Sequence, residues 1–282
     1  MIATAERRLA VLERLIDQLD RPPIRWDSPT DLARDIGLTL DPWQSQILES
    51  VSTRLIILGP RQSGKTTTTA VLGLHVALSI PEALVLLIAP AERQSMELAR
   101  TIRRMAGSVG LMTAERTDRV AMTALSASRL EFANGSRVIA LPGASESTVR
   151  GYPKPDLIVI DEAARLSEET YAAIRPALVA SPNGRLVLLS TPYLKSGTFH
   201  KTWHDPSPVW ERIRVRLEDV PRYSTEFLDE ERRTLPHWVF SREYLGQFSD
   251  DETTLFSSEL IAAAMDDTLE ALFLEDDDAS NS

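Results

Sequence analysis

The chain has 282 residues, 43% of them hydrophobic, enough for one large α/β core with room for a small accessory segment. It has no cysteine, which excludes a disulfide framework and thiolate metal sites. It also has neither the apolar core of a signal peptide nor the ~20-residue apolar run of a transmembrane helix. The formal charge of −10 is uneven: 12 of the 41 acids and none of the 31 bases follow Arg242. The body is therefore near neutral, and the overall acidity neither excludes nor argues for a nucleic-acid partner.

Residues 1–20 read as an amphipathic surface helix with Leu9, Leu12, Leu15, Ile16 and Leu19 on one face, ended by Arg21-Pro22-Pro23. Ser28 or Thr30 is placed to cap a short helix through Ile36, and Pro42-Trp43 opens another that runs to about Ser50. Leu55 to Leu58 is a buried strand. It leads into GPRQSGKT, Gly59 to Thr66, which matches G-x-x-x-x-G-K-[ST] at every fixed position, and a helix-compatible run follows to Ser79. Ala83 to Ala89 is a second strand, followed by a helix. Its Arg93, Arg100, Arg103 and Arg104 read as a solvated face, with a DNA-facing role as the alternative.

Two short strands flank Asn134-Gly135, a dipeptide that favours the positive φ of a tight hairpin. A polar loop containing Arg150-Gly151 precedes the third buried strand, Leu157 to Ile160, which ends in Asp161-Glu162. A helix capped by Ser167 comes next. A fourth strand then ends in Ser190-Thr191-Pro192, an edge strand covers ERIRVRLED, and two helices close the body. Strands alternating with helices predict an α/β P-loop NTPase fold, with a mainly parallel central sheet flanked by helices. Ligands of such sheets bind beyond the carboxyl ends of the strands. The P-loop, Asp161-Glu162 and Ser190-Thr191 all follow strands at that edge.

A P-loop between strand and helix cradles phosphates with its backbone N–H groups and the helix dipole; here the cradle is built from Gly59, Pro60 (which shapes the loop but has no N–H to give), Arg61, Gln62, Ser63, Gly64, Lys65, Thr66 and Thr67. Lys65 is placed to reach the β- and γ-phosphates of ATP, and Thr66 with Asp161 to hold Mg²⁺. Glu162 would activate the attacking water. Gln44, or else Gln46, offers the paired donor and acceptor that suit adenine, with Trp43 near the base; a solvated glutamine is the plainer alternative. Arg61 would reach the γ-phosphate in cis or clamp the loop as a salt bridge, and Arg150 would act in cis or across a subunit boundary. Ser190 and Thr191 would sense the γ-phosphate through bound water, or simply cap the strand end. His200 and His204 are spaced i, i+4, but they lack the glutamate of the zincin pattern, and Trp203 and Pro206 predict a packed loop instead of a metal site.

In this order, Pro42-Trp43-Gln44, GPRQSGKT, Phe132 to Ser136 (FANGS), Arg150-Gly151-Tyr152, LIVIDEAA, LLSTP and SREYLGQF resemble the ATPase half of phage terminase large subunits. The likeness spans about Leu40 to Phe256. It implies an additional-strand, conserved-glutamate (RecA-like) ATPase that drives double-stranded DNA into a procapsid in the host cytoplasm. The partners it implies are the portal protein, the small terminase subunit and a ring of like subunits. Residue by residue, it implies adenine reading by Gln44, phosphate and metal binding by Arg61, Lys65 and Thr66, and metal binding by Asp161. It further implies catalysis by Glu162, coupling by Ser190 and Thr191, and a finger at Arg150.

The expected organisation is a helical lead-in over 1–39, the ATPase over 40–249 and an acidic tail over 250–282. That tail is too short for the family's nuclease, so no nuclease activity is expected from this chain and a separate nuclease subunit becomes a possible partner. The rival expectations are a helicase-like DNA-dependent ATPase and a catalytically silent, nucleotide-gated assembly module.

Overall fold

The computed structural model describes residues 26–111, 122–143, 151–181 and 183–250. The expected N-terminal helix, Arg150 and the acidic tail beyond Asp250 lie outside them. Two short helices lead in: α1 (Pro29–Asp35), whose cap Ser28 accepts from Asp31 N, and α2 (Pro42–Glu49). Then follow β1 (Arg54–Leu58), α3 (Lys65–Ser79), β2 (Leu84–Ala89), α4 (Glu92–Ser108), β3 (Met122–Leu125), β4 (Arg129–Phe132), β5 (Arg137–Pro142) and β6 (Leu157–Asp161). A 3₁₀ turn, Ala163–Arg165, leads to α5 (Glu168–Val179), β7 (Arg185–Ser190), α6 (Gly197–His204) and β8 (Glu211–Arg214). After a second 3₁₀ turn, Leu217–Asp219, come α7 (Thr225–Thr234) and α8 (His237–Glu243).

The strands form one 8-stranded sheet in the order β3-β4-β5-β2-β6-β7-β1-β8. From β5 to β8 along that order every neighbouring pair is parallel, and only β4 runs antiparallel to its neighbours. The P-loop strand β1 and the acidic strand β6 are therefore not adjacent, because β7 lies between them.

Side-chain alternation divides each central strand between two cores. Leu55 and Ile57, Val85 and Leu87, and Val187 and Leu189 face a cluster built with Leu32, Ile47, Leu74 and Ile102 from α1 to α4. Ile56 and Leu58, Leu86 and Ile88, and Leu186 and Leu188 face a second cluster with Ile174, Leu178 and Phe199 from α5 and α6. Burying each such side chain stabilises the fold by roughly 1.5–3 kcal/mol. Leu32 and Ala33 of α1 are fully buried in the first cluster, so this part of the lead-in is built into the body.

Three local expectations change. Of the pair Asn134-Gly135, only Gly135 has positive φ (+85°). Gly135 N donates to Phe132 O at 2.9 Å and Phe132 N to Ser136 O at 3.0 Å, a tight turn closed by a left-handed glycine. Asn134 instead turns its side chain onto the end of α3, donating Nδ2 to Ala77 O at 2.9 Å. Ser136 Oγ donates to Ile80 O at 2.8 Å, so the FANGS stretch secures the C-terminus of the P-loop helix. Trp43, expected near a base, packs into the first core cluster and is buried there. The segment around His200 is the helix α6 and not a loop; the two histidine rings stand 4.3 Å apart, with His200 edge-on to Phe248 at 4.8 Å.

Candidate nucleotide site

The ends of three strands converge. Leu58 of β1 is in register with Ser190 of β7, and Asp161 of β6 with Leu189 of β7. Gly59 N donates to Ser190 O at 3.2 Å, and Ala164 N to Ser190 Oγ at 3.2 Å, which joins the two outer walls through one residue of the middle strand. The loop between β1 and α3 turns through two left-handed residues, Gln62 (φ +56°) and Gly64 (φ +102°). Gly59 is favoured for a different reason. A Cβ there would stand 2.7 Å from Val215 Cβ, on the segment that continues β8 and donates Val215 N to Leu58 O at 2.8 Å.

Lys65 is 7% exposed and folds back onto its own loop, donating Nζ to Gly59 O at 3.0 Å and to Pro60 O at 2.6 Å. Burial pushes its ammonium down to about 8, against the pull of Glu162, Asp161 and Glu243. The next residue, Thr66, donates Oγ1 to Asp161 Oδ2 at 2.8 Å, while Asp161 Oδ1 accepts from Glu162 N at 2.9 Å. Burial raises the Asp161 carboxyl, and the bonds from Thr66 and Glu162 offset part of that rise. Glu162 sits in the left-handed region (φ +51°), unusual for a residue with a Cβ, at the turn from strand to 3₁₀ helix. Its carboxyl is raised by burial first and by Asp161 second, and is lowered by Lys65 and Arg165. One cation and two carboxyls thus share a partly dry rim, where charges act on each other more strongly than in water.

Two hard oxygen donors in contact, a hydroxyl and a carboxylate beside a phosphate loop, are the donor set that Mg²⁺ prefers. Gln44 is buried; its Oε1 accepts from Asp41 N at 2.8 Å and its Nε2 donates to Thr68 Oγ1 at 3.0 Å. Gln46 is exposed, so Gln44 is the one that reaches the loop. Beside Gln44 opens a cavity of about 220 Å³, lined also by Leu38, Leu40, Gly64, Thr67 and Thr68, and by Arg222. The side chain of Arg61 is exposed, but its peptide is gripped from both sides. Arg61 N donates to Glu243 O at 2.9 Å, and Tyr223 OH donates to Arg61 O. The Arg61 guanidinium stands 4.0 Å from the Glu243 carboxylate, which also takes Arg242 Nε at 3.1 Å. Ser190 and Thr191 are buried at the strand end.

The structure therefore brings together Gln44, the whole stretch from Gly59 to Thr67, Asp161, Glu162, Ser190 and Thr191. Sequence reading missed Arg222, Tyr223 and the part played by Glu243. No motif marks the first two, and Glu243 lies within SREYLGQF, a stretch read only for its family likeness. All three reach the loop because the chain returns past β8.

The family model for the terminase large subunit, T4likevirus-type, N-terminal, matches residues 56–263. The chain belongs to this terminase family. The large terminase subunit of Escherichia phage T5 is 28% identical in a match of 208 positions that covers 70% of this chain but 44% of that protein. The terminase-family chain thus spans less than half the length of this curated relative. Among solved structures, the large terminase ATPase domain of Thermus phage P74-26 superposes with a TM-score of 0.61 at 20% identity, over 81% of this chain and 100% of that one. The large terminase of bacteriophage D6E, in complex with ADP, superposes with a TM-score of 0.61 at 14% identity, over 74% of this chain and 54% of that one. These likenesses show a terminase ATPase-domain fold, a P-loop α/β architecture. Among the described residues, no helix of this terminase-family chain is long and apolar enough to cross a membrane.

Proposed function

We propose that residues 40–249 form an ATP-hydrolysing motor that drives double-stranded DNA into a procapsid. The observation that carries this reading is the meeting of Lys65, Thr66, Asp161 and Glu162 at one strand edge. The D6E large terminase, which shares this fold, is in complex with ADP, and that supports a nucleotide as the ligand.

Lys65 leaves the carbonyls of Gly59 and Pro60 for the β- and γ-phosphates, and the backbone N–H groups of Gln62 to Thr66 hold the triphosphate. Thr66 and Asp161 would hold Mg²⁺, which neutralises phosphate charge when bound. Glu162 accepts a proton from the attacking water as that oxygen bonds to the γ-phosphorus and the bond to the β-bridging oxygen breaks, leaving ADP and phosphate. Gln44 reads the adenine edge. Arg61 turns its guanidinium from Glu243 toward the γ-phosphate; Arg150 is the alternative finger. Ser190 and Thr191 couple phosphate loss to movement, since Ser190 bonds both walls of the site.

The partners proposed with this activity are the portal, the small terminase subunit and further copies of the chain in a ring, in the host cytoplasm. The test is phosphate release with and without duplex DNA. The intact chain should turn over ATP, faster with DNA, and Glu162→Gln should lower kcat by about 10²–10⁴ while leaving nucleotide affinity in place. Equal turnover of the two proteins would overturn the assignment of Glu162.

A further inference from the structure

The wall of the cavity beside Gln44 includes a side chain that is remote in sequence from everything else there. Arg222 lies between the second 3₁₀ turn and α7, 181 positions from its ion-pair partner Asp41. Its Nη2 donates to Asp41 Oδ2 at 2.8 Å, and its Nη1 stands 3.1 Å from the point where a Cβ on Gly64 would lie. The Gln44 amide nitrogen is 3.1 Å from that same point, so guanidinium and amide meet above the P-loop glycine. Asp41 ties them together, since its own N–H is held by Gln44 Oε1. Leu38 and Leu40 supply apolar lining. At about 220 Å³ the cavity is smaller than the roughly 300–1,000 Å³ that enclose a drug-sized ligand, and it is the scale of one nucleobase.

We propose that Arg222 closes over the nucleobase of the bound nucleotide, its guanidinium plane stacked on the ring while Asp41 holds it in place. The proposal rests on the nucleotide reading above and adds a base-gripping residue to it. Guanidinium suits this place because it is planar, permanently charged, weakly hydrated and stacks on aromatic faces, whereas an ammonium is a compact hydrated point charge. The neighbouring residue, Tyr223, donates its hydroxyl to Arg61 O. Base and phosphate loop are thus gripped by consecutive residues of one segment, the one that leads into α7.

The experiment compares the binding of ATP and of inorganic tripolyphosphate, which has no base, to the intact chain and to its Arg222→Ala and Arg222→Lys variants. Arg222 is half exposed, and tripolyphosphate binding itself reports a folded P-loop. The expected result is a loss of about tenfold in ATP affinity for Arg222→Ala, unchanged tripolyphosphate affinity, and no full recovery of ATP binding in Arg222→Lys. Equal losses for ATP and tripolyphosphate would make Arg222 a phosphate contact and overturn the proposal, as would unchanged ATP binding in Arg222→Ala. Failure of the intact chain to bind ATP at all would instead overturn the nucleotide reading beneath it.

Discussion

The Thr66 hydroxyl donates to Asp161 Oδ2 at 2.8 Å across 95 positions of sequence, so the first turn of α3 and the end of β6 touch directly. A hydroxyl and a carboxylate that can both turn their oxygens to a hard cation make this contact the place where metal dependence should be read. Thr66→Val keeps the shape and removes the oxygen. Its ATP affinity should fall about tenfold in magnesium and equal that of the unaltered chain in EDTA, as measured by calorimetric titration. A loss of the same size in EDTA would mean that the hydroxyl serves the loop's shape and not a metal.

Gly59 faces Val215 so closely that a methyl group at 59 would fall 2.7 Å from Val215 Cβ, a separation that requires the backbone of one strand to move. Gly59→Ala should therefore lower stability by about 1–3 kcal/mol. Combining it with Val215→Gly, which removes the opposing Cβ, should restore part of that loss. Denaturant midpoints around the double-mutant cycle measure the coupling, and strictly additive losses would refute the contact.

Asn134 bonds the last carbonyls of α3 from outside the helix. Asn134→Ala leaves them without this partner and should cost about 1–2 kcal/mol, a fall in Tm of roughly 2–8 °C for a unit of this size. Because the damage is at the far end of α3 from Lys65, KM for ATP should stay within about twofold. Steady-state kinetics beside a melting curve would separate the two effects.

His75 on α3 is held below its ordinary 6.5, by burial first, although the Trp26 carbonyl 3.2 Å from Nε2 and the nearby Asp31 pull the other way. The folded state therefore releases this proton at lower pH than the unfolded chain does. Unfolding takes up a proton in the window between the lowered value and 6.5. The stability this group confers is complete above that window and is lost as pH falls through it. His75→Gln should flatten this part of the pH dependence of the urea midpoint between about pH 7.5 and 5.5. Parallel curves for the two proteins would show that His75 does not titrate with folding.

Much of this architecture is legible because its strands are short, continuous apolar runs that end in chemistry. Leu55 to Leu58 runs into the P-loop, Leu157 to Ile160 into Asp161-Glu162, and Leu186 to Leu189 into Ser190. Local spacing alone predicts that these polar groups share an edge. The illegible residues depend on contacts that no spacing encodes. Trp43 has the size and polarity of a base-stacking residue, and only the packing of α2 on α3 places it in the core. Asn134 has the local preference for a left-handed turn, but bonding the end of α3 settles its conformation differently. Arg222 and Tyr223 lie in a polar stretch without motif, Glu243 lies in SREYLGQF, whose spacing says nothing of the P-loop, and only the chain's return past the edge strand brings all three to the loop.

Ser190 is fully buried, and it offers its carbonyl to the phosphate loop and its hydroxyl to the turn after Glu162. The cleft is therefore riveted at two points, this serine and the Thr66–Asp161 bond, so a shift of the phosphate loop away from the turn after Glu162 acts on bonds at both.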